Sequence, residues 1–251
     1  MKTALKQIPN LITLLNLLSG SLSVAFISAG QVRTGIILIV LAAVFDFLDG
    51  LTARLLKVQS ELGKQLDTLA DIISFGFAPS FLFFEHIRLL LLSKTQNPEL
   101  MSLNGFNLVL VFIPFVFVLF AAIRLARFNI DSRQKKTFIG LPSPAAALLV
   151  SSALWIYYTP HFETTSLFLE NPVYLNISLV FVSFLMVAPL KFFSLKFNGL
   201  SWKQNQLRYV FTGISAILLI TLQTMALPVI ISIYIVFSII SNLKLINTYA
   251  P

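Results

Sequence analysis

The chain has 251 residues, of which 57% are hydrophobic and only 11% charged, and its mean hydropathy is +0.88. A soluble domain carries about 25% charged residues, so a water-soluble globule is excluded; 24 Phe and long aliphatic runs exclude a disordered chain. The lack of Cys rules out a disulfide scaffold, an iron–sulfur centre and a Cys-based zinc site, and two His are too few for a His-rich metal site. The net charge of +8 comes from 18 basic and 10 acidic residues. In so apolar a chain it points to cytoplasmic loops and membrane lipid headgroups, with no nucleic acid among the partners.

A helix needs about 20 mostly apolar residues to cross the hydrocarbon core. Apolar runs between charged or turn-rich breaks predict eight such helices, at 9–28, 33–54, 67–91, 105–127, 141–159, 173–191, 207–224 and 227–245. The first run follows Lys2 and Lys6 but is too long for a signal-peptide core of roughly 7–15 residues, so it is read as a retained helix. An N-terminus inside the cell puts fifteen of the 18 basic residues on the cytoplasmic side and leaves Arg33, Arg88 and Lys94 outside. The positive-inside rule then places both termini in the cytoplasm. Trp155, Tyr157 and Tyr158 mark the outer end of the fifth run, and 85–104 reads as a long external loop. With no repeat and no linker, the expectation is all-α: one polytopic membrane bundle spanning 1–251.

Four of the ten acids, Asp46, Asp49, Asp67 and Asp71, fall within 26 residues, beside or inside apolar runs. Carboxylates are expensive there and require a reason. The topology brings the end of the second run and the start of the third to one depth on the cytoplasmic side. The spacings i,i+3 and i,i+4 put each pair on one helix face. Converging carboxylates repel, and without Cys or a nearby His the fitting counterion is a hard oxygen-seeking cation, Mg²⁺ or Mn²⁺. Asp67 and Asp71 would also gain from a helix N-terminus, and Asp46 and Asp49 would oppose a C-terminus. The plain alternative is a set of hydrated interfacial acids paired with Arg54, Lys57 and Lys64.

Residues 46–71 read DFLDGLTARLLKVQSELGKQLDTLAD. This resembles the signature of the CDP-alcohol phosphatidyltransferases, with Asp46, Asp49, Gly50, Ala53, Arg54, Gly63, Asp67 and Asp71 at its fixed positions. PNLITLLNLLSG (9–20), DTLADIISFGFAP (67–79), RLARFN (124–129) and GLPSPAA (140–146) resemble the serine-using, integral-membrane branch. The likeness runs from residue 9 to about 147; beyond that the chain is family-like in hydropathy alone. Thr68 stands where relatives often carry Ser.

The resemblance implies transfer of the phosphatidyl group from CDP-diacylglycerol to the hydroxyl of L-serine, giving phosphatidylserine and CMP. It implies Asp46, Asp49 and Asp67 as ligands of a divalent cation, with Asp71 as general base and a further contact to metal. Gly50, Ala53, Arg54, Ser60 and Gly63 would bind CDP-diacylglycerol, the two small residues by letting the nucleotide approach and Arg54 through phosphate. Helix packing and a snorkelling anchor are their ordinary alternatives. Asn10, Thr13 and Asn16 make a polar stripe that lipid would reject; the family assigns Asn10 and Thr13 to the nucleotide pocket, and interhelical hydrogen bonding is the alternative. Arg124, Arg127 and Asn129 are the acceptor-binding candidates, since a guanidinium fork suits a carboxylate. Asn129 with Arg133, Lys135 and Lys136 equally suits lipid phosphate. His86 and His161 fall outside the expected site. A homodimer is compatible with this reading. The competing readings are another acceptor (glycerol 3-phosphate or inositol), a carboxylate-based ion transporter and a membrane scaffold.

Overall fold

The computed structural model describes residues 7–58, 60–93, 99–131, 138–159, 166–192, 202–222 and 226–248. Lys2, Lys6, Lys94, Arg133, Lys135, Lys136, His161 and Lys196 lie outside the described residues, as do the side chains of Lys191, Lys203, Arg208 and Lys244. Eight long helices are present among the described residues: α1 (Gln7–Ser28), α2 (Val32–Leu55), α3 (Glu61–Leu92), α4 (Gly105–Ile130), α5 (Ser143–Tyr157), α6 (Pro172–Val187), α7 (Trp202–Leu222) and α8 (Ala226–Thr248). The first four are long and apolar enough to cross a membrane. At 15 and 16 residues, α5 and α6 fall short of the roughly 20 a full crossing needs, so eight complete spans are not established. A two-residue antiparallel bridge pairs Phe138–Ile139 (β1) with Lys191–Phe192 (β2) and ties the start of α5 to the end of α6.

Helix α1 is inverted relative to a helix of a soluble protein. Its buried positions are Pro9, Asn10, Thr13, Asn16, Ser19, Gly20, Ser23 and Ile27, while Leu11, Leu14, Leu18 and Leu22 are exposed. Lipid solvates leucine and rejects amide and hydroxyl groups, so the polar stripe turns inward, and small residues bring backbones close. Ser23 Oγ donates to the Gly35 carbonyl of α2 at 2.8 Å, and a Cβ on Gly35 would collide with Ile27. On α1, a Cβ at Gly20 would fall onto Ser74 of α3.

Helix α3 is the hub of the bundle. Two thirds (67%) of its most apolar window is buried, against 33% or less in α1, α2 and α4. Its first part, Glu61–Asp71, passes into a π-helical stretch, Ile72–Phe77, before α-helix resumes at Ala78. Such stretches concentrate at functional sites, and this one begins immediately after Asp71. Within it Gly76 packs against Val118 and Ala121 of α4, where a Cβ would sit 3.0 and 3.4 Å from their side chains. A ladder of Phe77, Phe81, Phe84, Phe112 and Phe115 closes the rest of the α3–α4 contact.

Two expectations are corrected here. The third helix starts at Glu61, six residues earlier than expected, because Ser60 caps it: its extended backbone lets Oγ accept from Gly63 N at 3.0 Å. Asp67 and Asp71 therefore lie beyond the first turn, and the expected contribution of the helix dipole, confined to the terminal turn, does not apply. Asp46 likewise lies well inside α2, which ends at Leu55. Within the expected external loop at 85–104, α3 continues to Leu92 and a 3₁₀ turn occupies Leu100–Ser102, while 94–98 lie outside the described residues. In its last turns Glu85 is buried and paired with Arg88. His86 is buried too, between the Tyr158 hydroxyl at 2.9 Å and the Leu169 carbonyl at 3.0 Å. On the same side Arg33 stacks over Trp155, 5.2 Å from the ring centre.

Candidate functional site

The chain reverses between α2 and α3 in five residues. Leu56 N bonds the Thr52 carbonyl and Val58 N the Ala53 carbonyl, and Lys57 takes a left-handed conformation, φ 53°. This tight return fixes α2 and α3 as antiparallel neighbours and brings their acids together. One carboxylate oxygen from each of Asp46, Asp49 and Asp67 lies within 4.8 Å of the others. Asp46 and Asp67 act on each other directly. Asp49 is buried and accepts from Thr13 Oγ1 at 2.6 Å. Asp67 Oδ1 is buried with no hydrogen-bond partner among the described residues. Three carboxylates that each offer an oxygen within 4.8 Å of the others, with one Asp67 oxygen buried and unpartnered among the described residues, fit a hard divalent cation and suit neither a soft metal nor an anion.

Asp71 stands apart from that group. It is buried one turn further along α3, where Asn16 Nδ2 donates to its Oδ1 at 3.4 Å, and Ser74 Oγ donates to the Asn16 carbonyl at 3.0 Å. Asn16 thus contacts the acid with its side chain and the π segment with its backbone. Its place in the polar stripe was the sequence signal for it.

Beside the acids opens a cleft of about 470 Å³. Its walls include Asn10 and Thr13 of α1, Asp49, Gly50 and Ala53 of α2, and Ser60, Gly63 and Asp67 at the start of α3. Six of the seven residues expected to bind CDP-diacylglycerol therefore share one cavity. Pro9, which opens the 9–20 segment, also lines it, as do Val58, Glu61 and Lys64, which stand at no fixed position of the signature. The two glycines differ in kind. A Cβ on Gly50 would meet only Arg54 Nη2, at 4.0 Å, so protein packing does not demand a glycine there. A Cβ on Gly63 would lie 2.8 Å from Asn10 Oδ1 and 3.0 Å from the capping Ser60 Oγ, so it would displace a cleft side chain and crowd the helix cap. Arg54 is the exception to the expected set. It is exposed, its Nε donates to the Gly50 carbonyl at 2.8 Å, and it does not line the cleft.

A second cleft, of about 510 Å³, is lined by Arg124, Arg127, Ile130 and Asp131 of α4 and its C-cap, Ile139 of β1, and Met186, Val187 and Pro189 around the end of α6. Arg124 is buried, with Nη1 donating to Ser143 Oγ at the start of α5 at 3.0 Å, and its charge acts on Asp46, Asp67 and Asp71. One guanidinium thus joins the two halves of the site. Arg127 Nη1 makes a long contact, 3.4 Å, to the Val187 carbonyl. Asn129 does not line this cleft; its Nδ2 donates to Thr68 Oγ1 at 2.8 Å and its carbonyl accepts from Lys64 Nζ at 3.2 Å, holding α4 against α3. Lys64, Thr68 and Ser143 were not expected to contribute in this way. Single polar residues at unremarkable spacings carry no sequence signal of a contact 61 or 65 residues away, as for Thr68 and Lys64, or 19 away, as for Ser143.

Apolar membrane helices, a carboxylate cluster between two of them, a cleft opening beside it and a second cleft linked to it through the charge of Arg124 are the arrangement of a membrane-embedded enzyme. The chain belongs to the CDP-alcohol phosphatidyltransferase family, whose model matches residues 6–188 and so extends past the motif-bearing first half. It is 31% identical over 237 residues to a CDP-diacylglycerol–serine O-phosphatidyltransferase of Helicobacter pylori, covering 92% of this chain and 89% of that protein. A protein of the same name from Bacillus subtilis is 28% identical, over 75% of this chain and 90% of its own length. An archaetidylserine synthase of Methanothermobacter thermautotrophicus is 33% identical over 60% of this chain and 58% of its own.

Proposed function

We propose that the protein transfers the phosphatidyl group of CDP-diacylglycerol to the hydroxyl of L-serine, releasing CMP and forming phosphatidylserine. The observation that carries the reading is the juxtaposition of a three-carboxylate cluster with a cleft whose Gly50 faces open space. The names of the serine-using relatives support the acceptor. In this reading Asn10, Thr13, Gly50, Ala53, Ser60 and Gly63 bind the cytidine diphosphate portion, and Arg54 meets phosphate from the rim.

Asp46, Asp49 and Asp67 would hold Mg²⁺ or Mn²⁺, which when bound neutralises the pyrophosphate and polarises its phosphoryl oxygens. Thr13 fixes the Asp49 carboxylate by its hydrogen bond, and so sets the position of one ligand. Asp71 takes the proton of the serine hydroxyl as that oxygen forms a bond to the lipid phosphorus. The bond from phosphorus to the CMP oxygen breaks, and CMP leaves with the electron pair. Asn16 orients Asp71 for this proton transfer, which requires the hydroxyl within hydrogen-bond reach. Arg124 and Arg127 hold the acceptor carboxylate. The whole chain acts as one membrane domain of eight spans, with both termini and the site on the cytoplasmic side, as the distribution of basic residues supports.

Purified protein incubated with CDP-diacylglycerol and Mg²⁺ or Mn²⁺ should release CMP only when L-serine is added. Glycerol 3-phosphate and inositol should fail as substitutes. CMP release with either of these, and none with serine, would reassign the acceptor; no release with any of them would sink the enzyme reading.

A further inference from the structure

The second cleft carries both signs of charge on one stripe of helix. Arg124, Arg127 and Asp131 are spaced i, i+3 and i+7, which puts them on the same face of α4 and its C-cap. Asp131 sits where the helix ends: its N bonds the Arg127 carbonyl at 3.0 Å and its backbone turns extended. The facing wall is apolar, formed by Ile139, Met186 and Val187. That wall is held by backbone. Gly140 adopts φ +83°, its N bonds the Leu190 carbonyl at 2.9 Å, and any Cβ there would collide with the Met186 carbonyl.

Within this frame Arg124 is only 7% exposed, and its Nε has no hydrogen-bond partner among the described residues. A buried guanidinium with an unused donor on the cleft can take a ligand oxygen, and a carboxylate suits it well. We infer that Asp131 binds the ammonium group of an α-amino-acid acceptor whose carboxylate is bound by Arg124 and Arg127. The inference rests on the serine reading above and adds the residue that selects an amino acid. Cation and anion holders on one stripe match the paired charges on the α-carbon of a zwitterion. Inositol offers neither charge, and glycerol 3-phosphate offers only the anion, which would meet the Asp131 carboxylate at a like-charge cost. The charge of Arg124 also acts on Asp71, the proposed base.

The test uses the full chain in detergent with CDP-diacylglycerol and divalent metal, with L-serine varied. A hydrogen bond to a charged group lost from a binding site corresponds to about a tenfold or greater loss of affinity. D131N should therefore raise the KM for serine about tenfold or more, with kcat and the KM for CDP-diacylglycerol within about twofold of the parent. D131E, which keeps the charge, should recover most of the loss. As a competitor, 3-hydroxypropionate (serine without its amino group) carries only the anion, so it should bind D131N at least as well as the parent, and D131N erases the parent's preference for serine over it. A serine KM changed by less than twofold, or a parallel loss in kcat and in the KM for both substrates, would overturn the assignment; the parallel loss would leave Asp131 a structural cap. No serine-dependent CMP release from the parent would instead remove the serine reading beneath it.

Discussion

Replacing Gly50 by alanine separates a glycine kept for substrate from one kept for packing. Gly50 lies inside α2 and in the wall of the first cleft, where a new Cβ would find only Arg54 Nη2, at 4.0 Å. Alanine is favoured over glycine inside a helix by about 0.5–1 kcal/mol. With no clash to offset that gain, a chain of this size should melt roughly 1–4 °C higher. The same methyl intrudes on the space assigned to the nucleotide. Overpacking a fitted site costs about 1–3 kcal/mol, or roughly a 5- to 150-fold rise in KM for CDP-diacylglycerol. Thermal unfolding of the detergent-solubilised protein and CMP release at varied CDP-diacylglycerol measure the two effects on one preparation. Gly63→Ala is the paired control: its methyl would crowd Asn10 Oδ1 at 2.8 Å, and it should lower melting temperature and activity together. A G50A protein that melts lower than the parent, or keeps the parent's KM, would refute the reasoning.

Two further outcomes follow from the same geometry. Asp67→Ala should abolish binding of Mn²⁺ followed by calorimetry, whereas Asp71→Asn should keep much of that binding and lose turnover; equal metal affinity in the parent and D67A would show the ligand assignment to be wrong. Thr13→Val removes the 2.6 Å hydrogen bond to buried Asp49 and should weaken metal binding by about 1.5–3 kcal/mol at unchanged helix content, with titration against metal as the check.

The helical fold, the order of the helices and the convergence of the acids were legible in the sequence because each depends on a repeating or local signal. Apolar run length marks membrane helices whatever their partners, and the spacing of Asp46/Asp49 and Asp67/Asp71 sets their faces. Helix lengths were less legible. The Ser60 cap lies in a polar stretch, GlnSerGluLeuGlyLys, that hydropathy reads as loop, yet a side-chain hydrogen bond starts α3 there. Contacts made by one polar atom across the bundle were not legible at all, such as Asn129 on Thr68 or Arg124 on Ser143. The motif placed Arg54 correctly on its helix but said nothing of its rotamer, which turns the guanidinium back to the Gly50 carbonyl.

The polar stripe of α1 binds the helix into the bundle with the same atoms that shape the site. Thr13 is at once an interhelical fastener and the orienter of Asp49, and Asn16 fastens α3 while touching Asp71. Descendants of this chain therefore have little freedom there: a change that retunes the handling of the lipid donor also loosens the bundle. The second cleft is built differently, from the end of α4, a two-residue bridge and the end of α6, with backbone hydrogen bonds holding its apolar wall. Acceptor choice can drift while the donor half stands still, and this division lets one scaffold diversify its products without inventing its chemistry again.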